Sequence, residues 1–480
     1  MAMTEKPYLY EDSKGKTRIN HIKLGVFILE KHTLIRFVSK VYGTEKFYLF
    51  IDYVGWEEVS EKDIRFFIVE ELGEHHKRNI VSEALEYVIT HMKLHMGEFF
   101  SNLKTRMIPL RSGIIDYSNP GMVIMHRFSE KYQHDYRLNV DIDDRAHDGN
   151  ELIDFIDFVL GDGAQTFYEA AGLAFMRENP IPFVLILFGS GGDGKSTILR
   201  QLVKILGAKV TALPLERITK NTDGNRFIIG NFINKQANVF ADDKTTVVNR
   251  IENLKGLSGN DYMDAELKGI QDTVRAKMSI KFFFSMNEKP QINEINDATK
   301  RRFYIVTTRK TEEEVHDYIV ENFGDAYDDD YFDSDINGFF TFCINQASRL
   351  IFDKKRRLSM SDRVQRDIDK WFDDNDTVKE FLHDHTVECD DAHHSLKDFT
   401  DRYNNEFGAR WSSQKMKREL EKKGIMIGEK RLKKPDGSRS KYMTTNAVLN
   451  RRLLTEYNVN VLDKEDVENK KTTSKRLFLT

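Results

Sequence analysis

Charged and polar stretches alternate along this chain with short apolar runs, and the period of those runs changes several times. Residues 181–188 are apolar apart from Pro182, the pattern of a strand buried on both faces of a parallel sheet. A glycine-rich break follows. Beyond it Ile198, Leu199, Leu202, Val203 and Leu206 share one face of a helix. Residues 237–241 and 279–286 are further apolar runs of strand length, and another strand is entered through a basic cluster at 300–302. Upstream, residues 22–29, 33–41 and 46–54 have the β-branched and aromatic content of short strands, and helical patterns run over 61–72 and 77–105. Residues 107–146 read as short strands and turns, and 151–178 as helix.

The C-terminal part predicts helices over 378–385, 396–407 and 413–423. Strands follow near 425–430 and 441–444, with a Pro435-Asp436-Gly437 turn between them. Three helices and a hairpin in that order predict a winged helix-turn-helix. Its expected DNA contacts are Lys415, Lys417 and Arg418 on the third helix, and Lys433 and Lys434 on the wing. The whole chain is slightly acidic, with 73 Lys and Arg against 77 Asp and Glu, so this local excess of cations is informative.

The glycine-rich break is a full G-x-x-x-x-G-K-S: Gly189, Ser190, Gly191, Gly192, Asp193, Gly194, Lys195 and Ser196, with Thr197 next. Glycines let backbone N–H groups turn inward around a phosphate, a lysine reaches the terminal phosphates, and a serine hydroxyl ligates Mg²⁺. Strand, loop and helix stand in the order such a site requires, and the helix N-terminus faces the anion. ATP and Mg²⁺ are the expected cofactors. Asp242 and Asp243 close the next apolar run. Two acids at a strand end suit a Mg²⁺ shell, with Asp242 beside Ser196 as the metal ligands, and polarisation of an attacking water. Asn287 ends the third run, where an amide can hold water or the γ-phosphate.

Composition narrows the alternatives. Hydrophobic residues make up 40% and charged residues 31% of 480, the mixture of a soluble protein of several domains. Cys343 and Cys389 are too few for a disulfide framework or a thiolate zinc site, which fits a reducing cytoplasm. The N-terminus has no secretory pattern and no apolar run spans a bilayer, so no membrane partner is expected. His91 and His95 stand at a metal spacing with no third ligand nearby and read as surface histidines. Asp141 and Asp143, and the six aspartates between 325 and 335, read as solvated loops.

The series of glycine loop, Asp242-Asp243, LSGNDYMDAELKG, SMNEKP with Asn287, and KRRF resembles the superfamily-three helicases. It is most similar to the branch found in poxvirus helicase-primases and in phage and plasmid replication proteins, and within it to the replication initiators of staphylococcal mobile elements. The resemblance covers roughly residues 100–390. It implies an α/β AAA+ motor over 179–320, preceded by a mixed domain (1–106) and a pre-motor segment (107–178), then a helical linker (321–374) and the winged helix (375–480). It also implies a homo-hexameric ring that hydrolyses ATP, moves 3′-to-5′ on single-stranded DNA, opens origin duplex and works with host replication proteins. Residue by residue, Lys195 and Ser196 match the phosphate and Mg²⁺ ligands, Asp242 and Asp243 the acidic motif, and Asn287 the sensor. Arg302 or its neighbour Arg301 matches the finger that acts on the next subunit, and Lys268 the hairpin tip that tracks DNA. The N-terminal region carries no primase acid set, which argues against primase activity. Two other readings keep the nucleotide motifs, a protein-remodelling ATPase and a DNA-binding regulator switched by nucleotide.

Overall fold

The computed structural model describes residues 6–454 except 120–121, 144–148, 221–226, 246, 249–250, 268–272, 293–294, 325–326, 329 and 390. The chain divides into two compact units, Met1–Asp369 and Lys370–Thr480, the boundary falling inside the helix Asp362–Asp374.

At the centre of the first unit lies a five-stranded sheet, all parallel. Its order is Val210–Thr211, Ala237–Phe240, Lys281–Met286, Val184–Phe188, Phe303–Thr307. The middle strands are buried except at Phe188, so they are largely apolar on both faces rather than alternating. This is the α/β class the sequence predicts. Helices Lys195–Leu206 and Ala164–Phe175 pack on the Lys281–Met286 strand, and Ile336–Phe352 runs along Ala164–Phe175. Rings of Phe167 and Phe183 meet Phe283 edge-on. Lys281 is the exception within the strand: it is wholly buried, burial pushes its amine down to about 7, and its Nζ donates to Met176 O at 2.8 Å.

The N-terminal region builds a four-stranded sheet in the order Gly55–Val59, Glu45–Ile51, Leu34–Ser39, Lys93–Gly97. Helices His21–Lys31, Glu61–Leu72 and Arg78–His91 bury Leu24, Ile28, Ile64, Ile68, Leu85 and Val88 with its Leu34, Phe47 and Leu49. Two expectations fail here. Residues 22–29 form a helix and not a strand, because the Asn20 side chain caps Lys23 N and the buried Leu24 and Ile28 repeat at helical spacing. The helix expected over 77–105 ends at His91. From Lys93 the chain pairs parallel with Leu34–Ser39, a non-local pairing that local periodicity does not carry. His91 and His95 therefore sit on different elements, His91 on Tyr87 O and His95 beside Gln133. No cluster of metal-ligating side chains occurs among the described residues.

Between these sheets, Met107–Pro109, Ile114–Asn119 and Met122–His126 form a small antiparallel sheet. The following segment is tied to the edge of the central sheet, where Lys209 pairs with Asp135 at 3.6 Å and Gln236 donates to Tyr136 OH at 2.9 Å. Asp141 lies in a loop, partly exposed; its carboxylate accepts from Ser112 N at 2.8 Å and its own amide donates to Asn337. Asp330 and Asp333 both receive Lys204, at 2.8 and 2.6 Å, which anchors the acidic segment to the glycine-loop helix. Among the described residues no helix is long and apolar enough to cross a membrane.

The second unit packs helices Thr377–Asp384, Leu396–Phe407 and Ser413–Lys422 around Phe381, Phe399, Tyr403, Met416 and Leu420. Strand Ile427–Lys430 pairs antiparallel with Thr444–Val448. Lys430 faces Thr444 in that register, so the residues expected in the second strand from 441 belong instead to the loop before it. A further pair, Thr386–Glu388 with Arg451–Leu453, has no counterpart in the sequence reading.

Candidate functional site

The parallel register collects the sequence-predicted groups at one edge of the central sheet. Phe188 stands opposite Met286 on one side and Thr307 on the other, so Gly189 begins its loop between Asn287 and Thr308, about 4.8 Å from each backbone. Phe240 pairs with Phe284, which brings Asp242 one strand further along the same carboxyl edge. Asn287 and Asp242 are both exposed there.

Within the loop the local conformation follows from residue type. Gly194 has φ +85°, a left-handed backbone that glycine takes at no steric cost, and it caps the helix Lys195–Leu206 without any side-chain bond. The first turn of that helix carries no acid; its first N–H, that of Lys195, makes a long 3.5 Å bond to Asp193 Oδ1, and Ser196 is exposed beside it. A Cβ on Gly189 would overlap Thr308 and Asp193. The crowding at Gly189 fixes the start of the loop against Thr308 and Asp193, and the exposed Ser196 hydroxyl is the group here that would meet a Mg²⁺–triphosphate.

Lys195 and Asp193 are 4% and 2% exposed and form a buried ion pair. Lys195 Nζ donates to Asp193 Oδ1 and to Ser190 O, both at 2.6 Å, and Thr308 Oγ donates to the other Asp193 oxygen. Thr308 N in turn donates to Phe188 O at 2.8 Å. The Asp193 carboxylate thus faces the lysine and the neighbouring strand. Next to it, Arg363 donates to Thr307 O at 2.8 Å and to Leu160 O at 2.9 Å and pairs with Asp162.

The two acids at 242 and 243 separate sharply. Asp243 is buried; its carboxylate accepts from Leu215 N at 2.7 Å, from Thr245 N at 2.9 Å and from Thr245 Oγ. Three donors thus hold the Asp243 carboxylate against the 215 and 245 backbone, two on one oxygen and one on the other. Asp242 is exposed with φ +55°, and Ser285 Oγ accepts its amide at 2.9 Å. Asp243→Ala is therefore expected to lower stability by about 2–4 kcal/mol by stranding buried donors. Asp242→Asn is expected to leave the melting temperature unchanged while removing ATP turnover; thermal unfolding and an ATPase assay separate the two.

Residues 187–302, which hold the glycine loop, Asp242, Asn287 and Arg301, match the model of a family of unknown function, DUF5906. No curated protein matches the sequence. Solved structures of the NrS-1 C-terminal region are similar. An A-form apo structure is 11% identical with a TM-score of 0.45, covering 90% of this chain and 99% of that one. An apo structure of its residues 305–718 is 11% identical with a TM-score of 0.45, covering 89% and 99%.

The basic cluster lies at the other end of the sheet. Arg302 O accepts Val184 N at 2.7 Å, so Arg301 and Arg302 precede the strand at its amino edge, roughly 13 Å or more of strand rise away from the glycine loop of their own chain. Arg302 is 8% exposed, donates to Ala298 O at 3.1 Å, and has its guanidinium pKa lowered by burial and then by Arg301. Arg301 is exposed. Strands Tyr262–Ala265 and Val274–Lys277 form the expected antiparallel hairpin, and Lys268 lies outside the described residues.

In the second unit the cations are partly engaged. Lys415 lies 4.0 Å over the Trp411 ring, and Lys417 reaches Glu421 at 3.9 Å. Lys430, Lys433 and Arg439 converge on Asp391 at 3.6, 3.5 and 3.0 Å. Arg418 and Lys434 are exposed. The sequence reading did not include Thr308, Ser285, Arg363 or Asp391. Thr308 directly follows a predicted strand, a signal that was open to reading; the other three act through contacts distant in sequence.

Proposed function

We propose that this chain is an ATP-driven DNA helicase and replication-origin initiator of the superfamily-three, AAA+ type, working in the cytoplasm as a homo-oligomeric ring, hexameric in the form the resemblance implies. The observation that supports this most directly is the convergence of the glycine loop, Asp242 and Asn287 on one carboxyl edge of the sheet. A strand stands between the loop and the acid, and it presents the amide where a water or γ-phosphate would sit.

In this reading Lys195 exchanges Asp193 and Ser190 O for the terminal phosphates. Ser196 and Asp242 would hold the Mg²⁺, which when bound would neutralise charge on the phosphates. Asn287 orients the attacking water, and Asp243 keeps the Leu215 and Thr245 backbone in place behind Asp242. The exposed Arg301 reaches the nucleotide of the adjacent subunit, since neither arginine is placed to serve its own. Lys268, which falls in sequence between the two strands of the 262–277 hairpin, contacts single-stranded DNA in the channel. The second unit is a winged helix that sets the ring on origin duplex through Lys415, Lys417, Arg418, Lys433 and Lys434.

A forked duplex incubated with the full chain, ATP and Mg²⁺ is expected to be separated, with 3′-to-5′ polarity, and to stay paired with a non-hydrolysable analogue. A chain that remains monomeric with DNA and nucleotide present and releases no phosphate would refute the proposal.

A further inference from the structure

The loop between the strands Ile427–Lys430 and Thr444–Val448 is built rather than slack. Lys434 N donates to Ser438 O and Ser440 N to Leu432 O, each at 2.8 Å, and Asp436 accepts Ser438 N at 2.9 Å within the turn. Lys433 N donates to Ala392 O at 2.8 Å, and Asp391 draws in Lys433 and Arg439 from the two sides of the loop. On this fixed frame Tyr442 is 72% exposed and Met443 54% exposed. Tyr403 of the same unit is 2% exposed, so the unit has a core for tyrosine and Tyr442 is left out of it.

The surroundings of that ring select its partner. Lys441 Nζ stands 5.7 Å from the ring centroid, and Arg431 and Lys434 are exposed on the same loop. An apolar docking partner would have to strip these cations of water; a polyanion neutralises them and gains. What a polyanion offers to an aromatic face is a nucleobase, and a base in intact duplex already has both faces covered by its neighbours. We infer that Tyr442 stacks on an unpaired DNA base at a single-strand/duplex junction while Arg431, Lys434 and Lys441 hold the flanking phosphates. The wing is then a reader of opened DNA in addition to the duplex contacts proposed above. This rests on the reading of the second unit as a DNA-binding domain.

The test uses the full chain without nucleotide. Its affinity is measured for a blunt duplex and for the same duplex with a short splayed end carrying a fluorescent base analogue that stacking quenches. Tyr442→Ala is expected to weaken binding to the splayed duplex about tenfold or more and to abolish the quench, with the blunt duplex unchanged. Tyr442→Phe keeps the ring and is expected to behave as the parent. Arg431→Ala with Lys434→Ala is expected to weaken both duplexes alike. If Tyr442→Ala leaves the splayed duplex bound and quenched as before, or weakens both duplexes equally, the stacking role is overturned and duplex binding stands. If the parent chain binds neither duplex, the underlying DNA-binding reading falls, and the inference with it.

Discussion

Arg301→Ala is expected to lower ATP turnover by the assembled protein on the order of 10³-fold, with ATP still bound, because the guanidinium that neutralises charge on the transferring phosphoryl is lost. The geometry makes the direction of this effect specific. Arg301 stands at the amino edge of the sheet and the glycine loop at the carboxyl edge, so a role in hydrolysis requires a second copy of the chain. Mixing decides it. A blend of Arg301→Ala protomers with Lys195→Ala protomers regains activity wherever an intact arginine of one meets an intact loop of the other, although each variant alone is inactive. Arg302→Ala should act differently. Its side chain is buried against Ala298 O, and its loss is read as a lowered melting temperature. Unchanged turnover by Arg301→Ala, or no recovery on mixing, sinks the action across subunits.

Lys195→Ala is expected to lower turnover on the order of 10²–10³-fold or more, as loss of one charged donor in a preorganised site commonly does. The substitution carries a second effect that has to be separated from the first. Asp193 is 2% exposed and has Lys195 as its counter-charge, so alanine leaves a buried carboxylate held by Thr308 and by the long 3.5 Å bond from the backbone N–H of residue 195, with no cation. Stranding such a partner costs about 3–5 kcal/mol. The double substitution Lys195→Ala with Asp193→Asn removes the stranded charge. It is expected to recover most of the melting temperature and none of the hydrolysis. Recovery of turnover in the double variant would show that Lys195 acts only through packing.

Much of the central sheet and its glycine loop was legible from the chain because the strands are buried on both faces and the loop is a local motif. Residues 181–188, the G-x-x-x-x-G-K-S and the amphipathic helix after it are contiguous, and the parallel register then brings Asn287 and Asp242 beside them without any irregularity. The division between Asp242 and Asp243 was not legible. Adjacent acids look alike in sequence, and which one is spent depends on Leu215, whose N–H comes from a segment 28 residues upstream, with Thr245 adding a local bond. The same holds for the two arginines, where one position along the chain changes an exposed group into a buried one. At 22–29 the β-branched content pointed to a strand, and a single cap at Asn20 with packing on Leu34 and Leu49 outweighed it. The cations of the second unit were visible, but the pairing of Lys433 and Arg439 with Asp391 was not, since the partner lies some forty residues before them.

The backbone of Asp242 narrows what evolution or engineering can place there. Either common acid could in principle ligate a cation at a strand end. A left-handed residue, however, is tolerated by aspartate and asparagine, whose short side chains bond locally, and costs roughly 1–2 kcal/mol for longer ones. Glutamate at this position would carry the right charge on the wrong turn, so the identity of the acid is chosen by chain geometry as much as by chemistry.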